Sequence, residues 1–547
     1  MTRNQVVASL VAVVVVAVAV RVAAAALIVF PKPEDTAYYV GVARNLLEGR
    51  GLVSDALWSY QTTPLAPLPR PAFEVWLPLP TFLAVIPMAV FGSTFAAAQV
   101  SSVLVGALVP LLTWRLAADA GEERGLPPGR VAVLALGAGL TAAVYLPLVL
   151  HSALPDSTIP FTAIVLAACL LMTRIARSPR RETRPPRSRL GDPRLLVLGL
   201  LIGLGALTRN EAAWLGLAWA IVAWSIPGTT RRERVGLIAV PALIALAVFV
   251  PWAIRDWAAF GSLLPGQAAS NALSLNGRDI FAWSDPPTLQ RYLAAGLGRL
   301  LELRLIGFAH NLFNVLVLLG MPISVIGLAA LPWFGRGRAL RPLVVFSALT
   351  FTITTLLFPV STTWGTFLHA AGAIHVLLIV TCLMALDCLI AAVGIRRSWT
   401  RPVAWLAPTL TVFGAVLFSL AALPAFGAGS RETQAHYAAL AVALRDTGAP
   451  FDAGHPVITN FPIWLAETLR VPALALPDEP PASVADLAAA FPGTSLVVVD
   501  GRDEGRYPGA FDGDAPGTAC FREVTLSTTN ATAPFLADTR VFRVVCP

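Results

Sequence analysis

Two adjacent carboxylates, Glu34 and Asp35, open a short run with helix-like apolar spacing: Val40, Ala43, Leu46 and Leu47. Tyr38 and Tyr39 follow within one turn. One reading is a helix start, since acidic residues in a first turn are stabilised by the helix dipole. The other is chemical: a carboxylate beside an incoming hydroxyl takes its proton as a general base. Further groups are candidates to join it. Arg70 precedes Pro71 and an apolar stretch. It either snorkels at an interface or offers its planar fork to a phosphate. Arg209 and Glu211 lie within an otherwise apolar segment, where an arginine is costly unless paired or facing a polar cavity. Asp156, after Pro155, is either a helix cap or a substrate ligand. His369 opens an apolar segment, as a packed interfacial residue or as part of a site.

The elements that must position these groups are membrane helices. The 547 residues are 56% hydrophobic and 13% charged, whereas soluble chains carry about 25% charged residues. The composition is that of a polytopic membrane protein. The net charge of +8 is almost wholly arginine, with Lys32 the single lysine. Such an excess marks cytoplasmic loops. No basic face with reading residues is present, which excludes nucleic acid as a partner. A P-loop is absent, and the six histidines and five cysteines show no metal-ligand spacing. The spacing therefore indicates no metal.

About 20 apolar residues cross a bilayer. Residues 6–30 form a retained first span, although Ala23 to Ala26 imitate a cleavage site. The first outer loop is 31–92. Its last part, 76–92, is a juxtamembrane or re-entrant segment, because Pro78, Pro80 and Pro87 disturb a helix. Spans follow at 94–118, 131–149 and 157–173, ending in the arginine-rich run 174–194, which is cytoplasmic. Residues 195–228 are too few for two full spans and must form a half-buried hairpin with Arg209 near its tip. Spans at 236–254, 309–333, 342–358, 370–394 and 402–425 complete about 11 crossings. A long outer loop, 255–305, separates the first two of these. The expected fold is an α-helical polytopic membrane domain over 1–425 and a small extracytoplasmic α/β domain over 426–547. In the latter an amphipathic helix at 431–446 leads to strands near 456–460, 495–500 and 541–545, and helices near 462–469 and 483–491. An oxidising compartment allows Cys520 and Cys546 to pair.

With that order of segments, the motifs resemble the GT-C superfamily of polyprenyl-phosphate-sugar glycosyltransferases, which includes protein O-mannosyltransferases and the lipid A aminoarabinose transferase. Pro33-Glu34-Asp35-Thr36-Ala37-Tyr38, with Arg44 and Leu47, is similar to the family's acidic motif and the helix after it. Arg70-Pro71 stands where the aminoarabinose transferase has a phosphate-binding Lys-Pro. Leu154-Pro155-Asp156 resembles the second acidic motif, and Leu207-Thr208-Arg209 a Thr-Lys at the re-entrant hairpin. Gly365 to His369 is similar to a late motif of bacterial relatives. The resemblance covers roughly 1–425. This chain departs from the family in having Glu34 before Asp35 and arginine for both lysines.

The resemblance implies an inverting transfer from a polyprenyl-phosphate sugar to a glycan, lipid or protein acceptor on the outer face of the plasma membrane. The N-terminus would be cytoplasmic and the C-terminal domain outside. Asp35, with Glu34, would activate the acceptor hydroxyl; Asp156 would hold a sugar. Arg70 and Arg209 would take the donor phosphate. Tyr38, Tyr39, Glu211 and His369 would contact substrate. Two rivals stay open: a transporter or flippase, which would carry repeats and midplane charges, and a non-catalytic membrane scaffold. Arg21, Arg115 and Asp387, in or near spans, bear on the first.

Overall fold

The computed structural model describes residues 3–61, 68–177, 189–265, 268–399, 403–450, 452–501, 511 and 515–546. The protein is mostly helical. Helix α1 (Arg3–Leu27) carries Val7, Val11, Val15 and Val22 on one face, each more than half exposed. Such a stripe suits contact with lipid, because in water it would stay solvent-exposed. The chain then forms α2 (Glu34–Leu47), short strands β1 (Val53–Ser54), β2 (Ala56–Leu57) and β3 (Arg70–Pro71), and α3 (Leu79–Phe91). Helix α3 has 13 residues, about 20 Å at a helical rise, too short to cross the hydrocarbon core.

Next come α4 (Phe95–Glu123), α5 (Pro128–Val144), α6 (Leu146–Ser152) and α7 (Thr158–Arg177). Four of the eight arginines in the run that anchors the expected topology, Arg180, Arg181, Arg184 and Arg187, lie outside the described residues. Residues 195–228 do form a hairpin, of two 13-residue helices, α8 (Arg194–Ala206) and α9 (Ala212–Trp224), with 207–211 as its tip. Helix α10 (Arg231–Phe260) follows.

The expected outer loop 255–305 is not one loop. Helix α10 runs to Phe260, α11 (Ala268–Leu273) and α12 (Leu289–Ala294) lie within it, and α13 (Gly296–Ala309) continues through π- and 3₁₀-helical turns to Gly320. The expected span 309–333 is broken at Met321-Pro322, after which α14 (Ile323–Phe334) starts. Proline supplies no N–H to carry the ladder across that point. Helices α15 (Arg341–Leu357), α16 (Thr366–Ala370), α17 (Gly372–Arg396) and α18 (Leu406–Asp446) complete the helical part. By length and composition, seven helices among the described residues can cross a membrane, or eight if α5 and α6, bent by 54°, count as one span. The chain is a multi-pass membrane protein, but its long spans number fewer than the eleven expected, the remainder being shorter apolar helices.

Helix α18 has 41 residues, about 60 Å, twice the hydrocarbon thickness. It passes through position 425 without a break, so the polarity change there marks a change of medium along one helix. Beyond it lie β4 (Val457–Thr459), α19 (Pro462–Leu469), β5 (Ala473–Ala475), α20 (Pro481–Ala490), β6 (Leu496–Asp500), β7 (Phe521–Val524), α21 (Ala533–Leu536) and β8 (Thr539–Val544). They build one sheet in the order β2-β5-β4-β6-β8-β7. Strands β2, β5, β4 and β6 are parallel; β6, β8 and β7 are antiparallel. The edge strand β2 comes from the first loop, where Ala56 pairs with Ala473. The loop that holds the acidic pair is thus hydrogen-bonded into the C-terminal sheet.

Cys520 and Cys546 are joined in a disulfide across 26 residues. Closing a loop of that length stabilises a fold by about 3 kcal/mol. Cys520→Ala with Cys546→Ala is expected to lower the stability of this sheet by about that amount, read by denaturant-dependent proteolysis of the C-terminal part.

Candidate active site

Four separate segments converge on one buried cluster. The first is α2. Asp35 lies in its first turn, where its Oδ1 accepts the Thr36 N–H at 2.9 Å, and its side chain is 12% exposed. The second is the turn between α6 and α7. Asp156 is fully buried there; its Oδ1 accepts the Thr158 N–H at 2.8 Å, closing the start of α7. Its Oδ2 lies 3.1 Å from His151 Nδ1 and 3.8 Å from His369 Nδ1. Asp156 is both the cap and a member of the cluster, because a carboxylate has two oxygens and the cap uses one.

The third segment is α16. His369 lies between the two acids: Nε2 is 3.3 Å from Asp35 Oδ2, and Nδ1 is 2.7 Å from Thr158 Oγ1. Gly365 precedes this short helix at a φ of +113°, a conformation that disfavours any side chain. The fourth is the hairpin tip. Arg209 donates through Nε and Nη2 to the two oxygens of Glu211, at 3.1 and 2.8 Å. Nη1 donates to Ser157 Oγ at 2.9 Å and Nη2 to the Thr366 carbonyl at 3.1 Å. The tip is thereby tied to both the α6–α7 turn and α16. Tyr39, one turn after Asp35, faces the same groups, its hydroxyl paired with Ser157.

Burial first, and the neighbouring Asp156 charge second, push the Asp35 carboxyl up to about 7. Burial also works to raise Asp156, yet His151 and the Thr158 N–H hold it below the usual carboxylate range. Burial pushes His369 down to about 3, so its imidazole is neutral. The tautomer with a proton on Nε2 gives the Asp35 carboxylate a donor and leaves Nδ1 to accept from the Thr158 hydroxyl.

Other residues expected at the site lie elsewhere. Successive helical side chains diverge by about 100°, so Glu34 faces away from Asp35. Its Oε1 accepts the Ile463 N–H at the start of α19 (3.1 Å), and Oε2 accepts the Trp58 indole N–H (3.3 Å). Tyr38 also turns outward. Its hydroxyl accepts the Phe73 N–H at 2.6 Å and its ring lies 4.3 Å from Trp76. Arg70 lies beyond Tyr38, buried and paired through Nη2 with Glu74, while its Nε and Nη1 have no hydrogen-bond partner among the described residues.

Sequence reasoning does not single out His151, Ser157 or Thr158; the one available signal is a histidine five positions before Asp156. His151, Asp156 and His369 each offer a donor atom within 4.8 Å of the other two. Two imidazoles and a carboxylate suit a zinc-class ion, so these three residues can hold a metal, which their scattered positions in the sequence hide.

No family model and no curated protein matches the sequence. Solved structures do. ArnT from Cupriavidus metallidurans, bound to undecaprenyl phosphate, superposes with a TM-score of 0.55 at 13% identity, covering 98% of each chain. The Archaeoglobus fulgidus oligosaccharyltransferase, in complex with zinc and sulfate, gives a TM-score of 0.55 at 16% identity over 90% of this chain and 68% of that one. Identity so low establishes architecture only. In architecture, this chain shares its fold with ArnT and with the Archaeoglobus fulgidus oligosaccharyltransferase.

Proposed function

We propose that the protein is a membrane glycosyltransferase that moves a sugar from a polyprenyl-phosphate donor to an acceptor hydroxyl, with inversion. The observation that carries this reading is the buried cluster itself. A carboxylate of raised proton affinity, Asp35, faces a neutral imidazole and a fully buried second acid, beside a guanidinium. In the reaction the acceptor hydroxyl gives its proton to Asp35 Oδ2, and its oxygen bonds to the anomeric carbon. The bond from that carbon to the phosphate oxygen breaks, and the polyprenyl phosphate leaves with the electron pair. Arg209 meets the charge that develops on the leaving oxygen. Arg70, outside the cluster and with two nitrogens unpartnered among the described residues, would hold the lipid phosphate on its approach. His369 orients Asp35, Thr158 orients His369, and Asp156 holds Thr158 through its N–H. ArnT, of the same fold, holds undecaprenyl phosphate, the leaving group this scheme requires. The cluster would face the outer side of the membrane, where a lipid-linked donor is available without a nucleotide pool.

The test is transfer of labelled sugar from synthetic polyprenyl-phosphate donors in nanodiscs carrying the wild type, Asp35→Asn or Arg209→Ala. Transfer by the wild type, and its loss in both variants, supports the reading. Equal transfer by all three, or none by the wild type with any donor, overturns it.

A further inference from the structure

Arg21 lies in the C-terminal third of α1 and is fully buried. A guanidinium inside an apolar helix is costly unless its N–H groups find acceptors. Nη1 donates to the Ala17 carbonyl one turn back (3.2 Å) and to the Ala143 carbonyl at the end of α5 (3.0 Å). Nε donates to Ser152 Oγ at the end of α6 (3.0 Å).

The Ala143 carbonyl is a particular acceptor. In an unbroken helix it would receive the N–H of the residue four positions on. That residue is Pro147, which has no N–H. Here the chain bends by 54° from α5 into α6. Neighbouring helices close the break. Ser419 Oγ of α18 donates to the Val144 carbonyl at 2.6 Å, and the Tyr145 hydroxyl is 3.0 Å from His375 Nδ1 of α17. Helix α4 makes room: a Cβ on Gly106 would lie 2.3 Å from Ser152 Oγ and 3.0 Å from Arg21 Nε. Only glycine there lets Arg21 and Ser152 meet.

Helix α6 is seven residues long, and one guanidinium bridges the end of α5 before it and its own last residue, Ser152. Ser152 directly follows His151, whose Nδ1 meets Asp156. We propose that Arg21 is a positioning residue: it replaces the hydrogen bond that Pro147 removes and, through Ser152, fixes the short helix that delivers His151 to the buried cluster. Its hold on α6 stands on geometry alone; its effect on sugar transfer rests on the function proposed above.

The test uses the full-length protein in nanodiscs as wild type, Arg21→Gln, Arg21→Lys and Ser152→Ala, with hydrogen–deuterium exchange over 145–156 and steady-state transfer kinetics. Arg21→Gln is expected to raise exchange in that segment by about tenfold, with α4 and α7 unchanged. It is also expected to lower kcat by about tenfold or more at unchanged donor KM. Ser152→Ala, which keeps the Ala143 bond, gives a smaller rise in exchange, and Arg21→Lys an intermediate one. Wild-type exchange over 145–156 in both Arg21→Gln and Ser152→Ala overturns the hold on α6. Raised exchange with wild-type kcat in the folded protein overturns the positioning role. If the wild type transfers no sugar from any donor, the glycosyltransferase reading fails, and exchange alone decides whether Arg21 holds α6.

Discussion

Asp35→Asn is expected to lower the rate of sugar transfer by about 10²- to 10⁴-fold, the usual worth of a positioned general base, while donor binding is kept. The amide preserves the shape of the side chain and removes its capacity to take a proton. The neighbouring acid provides the internal contrast. Both Glu34 oxygens are engaged, with the α19 amide at Ile463 and the Trp58 indole. Glu34→Gln is therefore expected to loosen the packing of α19 on α2, with the chemical step retained. A larger loss of kcat in Glu34→Gln than in Asp35→Asn would assign the base to the wrong carboxylate.

The same residue sets a pH dependence. The Asp35 carboxyl is raised to about 7, chiefly by burial and then by the Asp156 charge. Its active form is the carboxylate, so activity is present above that pH and is lost as pH falls through it. The acid limb of the kcat profile is expected near 7, well above the ordinary range of an aspartate. Asp156→Asn removes the like charge, and whatever activity remains should show its limb at lower pH. A limb near 4 in the wild type would show that Asp35 does not titrate in the catalytic step.

Arg209→Ala is expected to cost about 10²- to 10³-fold in kcat, the scale found when one preorganised donor to a developing charge is removed. The donor count makes the case. A guanidinium has five N–H groups. Four are committed: two to Glu211, one to the Thr366 carbonyl and one to Ser157 Oγ. Among the described residues, one N–H on Nη1 is left for a phosphate oxygen. The rival explanation is that Arg209 only neutralises Glu211. Removing one partner of a buried ion pair typically costs about 3–5 kcal/mol, so loss of activity in the single variant is ambiguous. Arg209→Ala combined with Glu211→Gln resolves this, because no buried charge is then left alone. Persistent loss of kcat in a folded double variant supports the phosphate role; full recovery would reduce Arg209 to a structural partner. Arg209→Lys keeps the charge but cannot span Glu211, Ser157 and Thr366 together, and should fall between.

Much of the helical part can be read directly from hydropathy. The long apolar runs became helical, some in two pieces, because a backbone in lipid must satisfy its own hydrogen bonds. The hairpin at 195–228 follows from length alone: 34 residues between two arginine-rich flanks cannot make two full crossings. In the tail, the alternation of β-prone and helical runs locates β4, β6 and β8, and the two polar-region cysteines announce their disulfide. Harder to read were the breaks. Residues 309–333 are mostly apolar, with His310, Asn311 and Asn314 near the start, yet the chain breaks at Met321-Pro322. The apolar run says that the segment is buried or in lipid, and not whether one helix continues through it. The reverse error occurs at 425, where a change of composition conceals one uninterrupted helix.

By its residue types and their order, then, the sequence determined a multi-pass membrane chain, a loop with two acids after the first span, a second acid and an arginine on later segments, and a polar α/β tail. Tertiary structure alone decided which of these groups meet. It turned Asp35 inward and gave Glu34 to α19, because adjacent helical positions face different neighbours. It brought His151 and His369, 218 positions apart, to the same carboxylate of Asp156. It also drew β2 of the first loop into the C-terminal sheet. Periodicity reports which face of an element is buried. The partner on the other side is set by packing between elements distant in the chain, and no local pattern records it.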